Sequence, residues 1–193
     1  MKLYFNPLAC SLGSRIAAYE ADIALDFVQV DGKTKRAADG RDFRTINPLG
    51  LVPALVLDDG SVLTENAAVL QYLARTPSTA LLHQWLCFIG TELHKGFVPV
   101  MDKTAPPEVH AYALERLRPK LAHTAAHLAT RTWLLDAYTV ADGYLFAVLN
   151  WTQVTPIRLT EYPELAAFHA RMLERPAVRR AFDEERALYL AER

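Results

Sequence analysis

The sequence has few cysteines: only Cys10 and Cys87 occur among its 193 residues. Two cysteines cannot form the disulfide framework of a small secreted protein. Neither belongs to a Cys-x-x-Cys motif, so the sequence excludes an internal dithiol–disulfide cycle. A reactive cysteine in this chain would therefore need an external thiol as its partner.

Several other features are missing as well. No apolar run is long enough to cross a membrane, and the first residues lack the apolar core and cleavage site of a signal peptide, so we expect a cytoplasmic protein with no membrane partner. The net charge is only −1 and evenly spread, which argues against nucleic acid as a partner. There is no glycine-rich phosphate loop and no Gly-x-Ser-x-Gly motif.

The histidines do not predict a metal site. His123 and His127 are four residues apart, a spacing that can place two ligands on one helical face. No third ligand and no glutamate base accompanies them as in a zinc protease helix. We therefore expect no metal.

The first third of the chain predicts an α/β domain. Half of all residues are hydrophobic and 22% are charged, which is typical of a globular protein. Residues 2–5 and 27–30 have the pattern of strands, with a helix over 12–21 between them. A strand, a helix and a strand within about 30 residues predict a βαβ unit with parallel strands.

Residues 47–75 predict a hairpin followed by a helix. Pro53 lacks an N–H and suits the entry of a strand, and Asp59 with Gly60 is a strong hairpin signal. Thr64, Glu65 and Asn66 then precede an apolar helix and supply a capping residue. Together with the first unit, this predicts a βαβ–ββα domain over residues 1–75.

The rest of the chain predicts helices. After a linker at 76–79, residues 80–98 carry a stripe of apolar side chains at steps of three and four. Its members are Leu82, Leu86, Ile89, Leu93 and Phe97. Thr139 and Asp142 have the spacing of a capping box before another helix. The prediction is an all-helical domain over residues 80–193.

Two positions combine reactivity with a helix start. Cys10 lies where a loop enters a helix, whose N–H groups and dipole stabilise a thiolate, although a lone cysteine is equally often a small buried residue. At the second helix start, free N–H groups attract a carboxylate and Glu65 attracts an ammonium, as an amino-acid head group requires. The alternative is that Asn66 is only a cap and Glu65 only a solvated acid.

His94 and Lys95 share a helical face opposite the apolar stripe. This spacing predicts that both point away from the core seam of their own helix, toward solvent, a partner subunit or the first domain. A histidine in such a position is more often structural than catalytic.

These features together resemble the cytosolic glutathione transferases, specifically the bacterial beta class. The matching segments run in order along nearly the whole chain: residues 1–5, 9–12, 47–55, 57–65, 71–74, 91–97 and 139–146, with Trp151. No single segment is specific, but the combination is.

The resemblance implies a thioredoxin-like domain followed by a helical domain, a homodimer, and glutathione as co-substrate. By matching position, Cys10 would face the glutathione sulfur, and Val52, before a cis Pro53, would pair with the cysteinyl unit. Glu65 and Asn66 would hold the γ-glutamyl group. The remaining carried-over residues are Lys35 for the glycyl carboxylate, His94 and Lys95 from the helical domain, and Thr139 with Asp142 as a capping box that matters for folding.

The sequence also departs from the family pattern. Asn66 stands where the family usually has Ser or Gly, and Cys87 stands where related enzymes have an Asn that reaches glutathione across the dimer. The segment 74–84 is shortened by roughly three helical turns. The segment 133–139 lacks the usual Gly.

The resulting hypothesis is a detoxifying transferase. A glutathione thiolate held near Cys10 attacks an apolar electrophile while His94 or Lys95 meets the displaced charge. A variant is thiol–disulfide exchange through a mixed disulfide at Cys10. The alternative is a non-catalytic binding or scaffold protein with the same fold. The sequence does not identify the electrophile.

Overall fold

The structure is a computed structural model that describes residues 1–74 and 78–191. The predicted domain end at residue 75 and the first two residues of the predicted linker lie outside this part of the chain. Contacts divide the chain into two compact units, residues 1–77 with 175–193, and residues 78–174.

A four-stranded sheet forms the centre of the first unit. Its elements are β1 (Lys2–Phe5), α1 (Ser11–Glu20), β2 (Asp26–Gln29), β3 (Ala54–Val56), β4 (Val62–Leu63) and α2 (Asn66–Ala74). The strand order is β2-β1-β3-β4, with β1 parallel to β2 and the other pairs antiparallel. The predicted βαβ–ββα order and thioredoxin-like sheet are therefore confirmed.

The alternation of β1 explains how the sheet is covered. Leu3 and Phe5 are buried on one side, and Tyr4 is buried on the other, because successive side chains of a strand point to opposite faces. Tyr4 belongs to a core cluster with Val28, Val30, Ala37, Phe43 and Ala54. It stacks on Phe43, which begins a 3₁₀ turn, with ring centroids 5.5 Å apart.

The second unit is helical. Its helices are α3 (Ala80–Phe88), α4 (Lys95–Met101), α5 (Pro107–Leu128), α6 (Val140–Leu149) and α7 (Pro163–Glu174). Short 3₁₀ segments follow α6 and precede α7. Thr79 caps α3 by accepting a hydrogen bond from the Leu82 N–H at 3.1 Å. The whole predicted apolar stripe of residues 82–97 is buried.

A π-helical segment, Ile89–His94, joins α3 to α4 in one continuous helical run. The α-helical spacing of the sequence did not predict it. A π-helix takes more residues per turn than an α-helix, and such segments are often found at functional sites.

The last helix, α8 (Pro176–Ala191), differs from the predicted organisation. The sequence placed all of residues 80–193 in one helical domain. In the structure α8 belongs to the first compact unit, where it packs on α1. Polar bonds at its start include two hydrogen bonds from Arg175, the residue before α8, to Glu20 at 2.7 and 2.8 Å.

Over residues 1–74 and 78–191, the helices are too short or too polar to cross a membrane.

Candidate functional site

Cys10 is the residue just before α1, and its thiol lies against the main chain of a neighbouring loop. Sγ donates to the Val52 carbonyl oxygen at 3.4 Å, and only 5% of the residue is exposed. Within the described part of the chain, the Cys10 side chain makes no capping bond to α1. The expected contact of sulfur with the helix N–H groups is therefore replaced by a contact with Val52.

The loop that carries Val52 is shaped by Asn47. Its Nδ2 donates to the Leu51 carbonyl oxygen at 2.7 Å, and its Oδ1 accepts the Leu49 N–H at 3.2 Å. The Val52–Pro53 peptide bond is cis, as the resemblance implied. The sequence analysis treated Asn47 only as loop punctuation, and its side chain is a main organiser of this loop.

Lys35 lies beside the same loop. A Cβ added at Gly50 would be 3.5 Å from Cδ and Cε of Lys35, so the lysine stem passes over the glycine. Lys35 has a φ of +62° and Gly50 a φ of +63°, both in the left-handed region. The structure thus brings the Lys35 side chain to the loop that ends at Val52.

Glu65 stands immediately before α2 in an unusual conformation. Its φ is +63°, in a region that costs a residue with a Cβ about 1 kcal/mol. Its side chain is exposed, while its carbonyl oxygen accepts the N–H groups of Ala68 and Val69, at 3.0 Å each. A strained non-glycine residue at a helix start is typical of a functional position.

Asn66, the first residue of α2, has a buried side chain that joins α2 to α1. Oδ1 accepts the Ser14 hydroxyl at 2.7 Å, and Nδ2 donates to the Cys10 carbonyl oxygen at 3.1 Å. The amide therefore braces Cys10, which differs from the expected capping of α2. Sequence reasoning missed Ser14, whose only signal was its position one helical turn after Cys10.

His94 ends the π-helical segment of the second unit. Its Nδ1 lies 2.8 Å from the Tyr144 hydroxyl, and its ring centroid lies 4.9 Å from that of Trp151. Burial, with a smaller effect of the Lys95 charge, lowers the pKa of His94 to about 4. The sequence predicted that His94 and Lys95 point away from the core seam of their helix; Lys95 is exposed, whereas the His94 ring contacts Tyr144 and Trp151 of the same unit.

The protonation of His94 limits its chemistry. At neutral pH its imidazole is uncharged, so it can donate or accept a hydrogen bond but supplies no positive charge. Lys95, the next residue and the first of α4, is exposed and carries such a charge. Cys87 is also exposed, on α3.

Thr139 and Asp142 form a buried cap at the start of α6. The Asp142 carboxylate accepts the N–H groups of Thr139 at 2.8 Å and Leu134 at 2.9 Å, and the Thr139 hydroxyl at 3.1 Å. The Asp142 N–H bonds to the Thr139 carbonyl oxygen. Burial raises the pKa of Asp142 to about 6, against the pull of its donors. The aspartate half of the predicted capping box is thus formed.

The two histidines with metal-ligand spacing have other contacts. The His127 ring is tilted against that of Trp85, with centroids 4.5 Å apart, and its Nε2 lies 2.9 Å from the Leu134 carbonyl oxygen. Both histidines line a cavity of about 610 Å³ in the second unit, which includes none of the predicted glutathione residues. Across the residues that the structure describes, no group of three or more His, Cys, Asp or Glu side chains is placed to hold a metal.

Comparison with known proteins supports the resemblance over both parts of the chain. Residues 9–76 match the family model described as glutathione S-transferase, N-terminal domain, and residues 88–176 match the corresponding C-terminal domain. The sequence is 40% identical over 198 residues to glutathione S-transferase GstA of Escherichia coli O157:H7, covering 96% of this chain and 98% of that protein.

Solved structures and a more distant relative extend the comparison. A sphingomonad glutathione S-transferase complexed with glutathione aligns with a TM-score of 0.92 at 38% identity, over 96% of this chain and 98% of that one. The disulfide-bond oxidoreductase YfcG of Escherichia coli K12 is 28% identical over 207 residues, covering 92% of this chain and 93% of that protein.

Proposed function

The chain belongs to the glutathione S-transferase family, and on that premise we propose that it binds glutathione in its first unit and transfers it to an apolar electrophile. The observation that carries the proposal is the cluster around Cys10. Its thiol contacts the Val52 carbonyl oxygen, and its carbonyl oxygen accepts a hydrogen bond from the Asn66 side chain. Asn66 is the first residue of α2, and Glu65 directly precedes it. Family membership by itself would not supply these contacts.

In this proposal each part of the tripeptide has a matching group. The ammonium of the γ-glutamyl unit binds the exposed Glu65 carboxylate, and its carboxylate binds the first N–H groups of α2, which have no partner within the helix. The main chain of the cysteinyl unit pairs with Val52. The glycyl carboxylate binds the Lys35 ammonium.

Asn66 has a different part from the one expected. Because its side-chain amide already bonds Ser14 and Cys10, we assign its contribution to glutathione binding to its main-chain N–H at the first position of α2. This assignment explains how Asn serves at a position where the family usually has a smaller residue.

The transfer reaction forms a carbon–sulfur bond. The glutathione thiolate attacks the electrophilic carbon, and the leaving group departs with its electron pair or the adjacent atom takes up the charge. Of the two residues that the resemblance assigns from the helical unit, Lys95 is the cationic one, and it is the one we propose to meet that charge. His94 can only donate a hydrogen bond, because its imidazole is neutral at pH 7.

Thiol–disulfide exchange is the second reaction that this cysteine permits. The Cys10 thiolate attacks the glutathione sulfur of a disulfide between glutathione and another small thiol, which forms a Cys10–glutathione disulfide and releases that thiol as its thiolate. A second glutathione then attacks the glutathione sulfur of this disulfide, which forms glutathione disulfide and frees the Cys10 thiolate. The similarity to YfcG, a disulfide-bond oxidoreductase, supports this reaction as the second candidate.

We also propose a cytoplasmic homodimer with a role in detoxification. The first unit exposes apolar side chains that a second copy would cover: Leu49 is 73% exposed, Leu51 51%, Tyr72 47% and Val62 42%. Analytical ultracentrifugation at micromolar concentration tests the dimer, and a single species of monomer mass would contradict it.

The central experiment is calorimetry with glutathione, followed by activity assays of Cys10→Ala. We expect binding in the wild type, conjugation within about fivefold of wild type in the variant, and complete loss of disulfide exchange. Absence of binding heat would overturn the proposed function. Binding without any conjugation or exchange would favour the non-catalytic alternative.

A further inference from the structure

Glu185 connects the last helix to the loop that carries Cys10. It lies in α8 and is completely buried. Its Oε2 accepts the Leu8 N–H at 2.8 Å, and its Oε1 accepts Nε of Arg15 at 3.0 Å. Residue 185 lies beyond the segment 88–176 that matches the C-terminal family model.

Arg15 is fixed on all sides. Its guanidinium carbon lies 4.3 Å from the Phe5 ring centroid and 4.0 Å from that of Phe27. Nη1 bonds Glu184 at 2.9 Å, so two neighbouring glutamates of α8 hold one guanidinium. An arginine packed between rings and bonded at two nitrogens has little freedom to move, and it fixes Glu185 in turn.

Leu8 is the other end of this connection, and its conformation is strained. Its φ is +59°, which costs a residue with a Cβ about 1 kcal/mol. It occupies a turn closed by a bond from the Ala9 N–H to the Asn6 carbonyl oxygen at 3.1 Å. The bond from Leu8 to Glu185 therefore fixes the turn two residues before Cys10.

We propose that Glu185 is a positioning residue for Cys10. It acts through Leu8 by holding the turn that aims the Cys10 thiol at Val52 and at a bound sulfur. The inference rests on the proposed function, because it takes Cys10 as the residue that meets the glutathione sulfur. The contact with Arg15 anchors Glu185, and the contact with Leu8 transmits its position to the site.

The charged and titratable neighbours of Glu185 determine how this connection responds to pH. Arg15 of α1 is its cationic partner, and Glu184 of α8 is a second acid that bonds Tyr19 and Arg180. Burial raises the pKa of Glu185 to about 7, although Arg15 and the Leu8 N–H both favour the charged form.

Protonation of Glu185 would break one of its two bonds. Leu8 N–H and Arg15 Nε–H are both donors, so a carboxyl O–H facing either of them finds no acceptor. With a pKa of about 7, Glu185 should hold the turn firmly at about pH 8 and loosely at about pH 6.

The test compares Glu185→Gln with Glu184→Gln. The first substitution places an amide NH₂ against one of the two donors. The second removes the charge of the other carboxylate that bonds the Arg15 guanidinium and does not touch Leu8. It is the matched control. The primary readout is the rate at which glutathione disulfide forms the mixed disulfide at Cys10, followed by mass spectrometry between about pH 6 and 8.

We expect Glu185→Gln to slow this reaction about tenfold at pH 8 relative to wild type. Each rate is divided by the rate of a free model thiol at the same pH. The normalised rate of the wild type should rise in a step near pH 7, and that of Glu185→Gln should show no such step. Glutathione affinity by calorimetry should change less than about threefold, and Glu184→Gln should keep both the rate and the step. Equal rate losses in the two variants, or no step in the wild type, would overturn the proposal.

A second measurement covers the case in which Glu185→Gln does not fold. Hydrogen exchange of the Leu8 amide in the wild type should show a protection factor that falls about tenfold or more from pH 8 to pH 6, after correction for intrinsic exchange. Constant protection contradicts the inference. Failure of the proposed function is recognised separately, since it appears as absent glutathione binding in the wild type.

Discussion

The Ser14 hydroxyl donates a hydrogen bond to Oδ1 of Asn66 at 2.7 Å, and both side chains are buried. The same amide donates from Nδ2 to the Cys10 carbonyl oxygen. A single side chain therefore fixes the start of α2 relative to the first turns of α1. These two helix starts carry the residues proposed to hold the sulfur and the head group of glutathione.

Replacing Asn66 by Ala should destabilise the protein. Two buried hydrogen bonds are lost, and the Ser14 hydroxyl and the Cys10 carbonyl need new partners, so the free energy of unfolding should fall by about 2–3 kcal/mol. Urea denaturation measures this change. Gln71→Ala, on the same helix but only half-buried, is the control and should cost about 1 kcal/mol or less. Equal stability of the two variants would contradict the bracing role of Asn66.

Asp142→Asn should have a still larger effect on stability. The carboxylate accepts three hydrogen bonds, and an amide would set its NH₂ group against at least one of those donors. We expect the free energy of unfolding to fall by about 3 kcal/mol. Asp136→Asn is the reference, because Asp136 is an exposed acid in the preceding loop. Its free energy of unfolding in denaturant should match that of wild type. A comparable loss in both variants would rule out the buried cap as the cause.

The sequence predicted those parts of the fold that depend on local patterns. The strand patterns at residues 2–5 and 27–30 and the hairpin signal at Asp59 and Gly60 predicted the βαβ–ββα order, and the spacing from Leu82 to Phe97 predicted the buried face of the long helical run. Each of these signals arises within a few residues, because strand and helix periods fix which side chains share a face.

The predictions failed where distant residues or irregular backbone decide the outcome. Leu8 and Glu185 are 177 positions apart, and a glutamate in an amphipathic helix is ordinarily expected to be solvated. Thr91 and Lys95, which share the predicted face of His94, are exposed, but the His94 ring contacts Tyr144 and Trp151, and helical spacing carries no information on such tertiary contacts.

His94 should make the protein sensitive to acid. Its pKa is about 4 when folded and about 6.5 when unfolded, so the unfolded chain binds more protons between these values. The free energy of unfolding should therefore decrease as the pH falls from about 6.5 to 4, by at most about 3 kcal/mol from this residue. His94→Asn keeps a polar atom near the position of Nδ1 and removes the titration.

The measurement is urea unfolding of both proteins at several pH values in this range. The difference in unfolding free energy between wild type and variant should shrink as the pH falls. Only in the wild type does folding require a protonated His94 to lose its proton. His169 contributes a similar term, since burial lowers its pKa to about 4 as well, and it cancels in the difference. A difference that stays constant with pH would contradict the prediction.

Glu65 offers a test that separates stability from binding. Its φ of +63° suits glycine better than glutamate, so Glu65→Gly should raise the free energy of unfolding by about 0.5–1 kcal/mol. The same variant should bind glutathione about tenfold or more weakly, because the ammonium of the γ-glutamyl unit loses its carboxylate.

Glu65→Gln is the matched control: it keeps the strained residue and the side-chain shape, so it should lose affinity without gaining stability. Thermal unfolding and calorimetry on the three proteins give both quantities. A stable Glu65→Gly variant with wild-type affinity would show that the head group binds elsewhere.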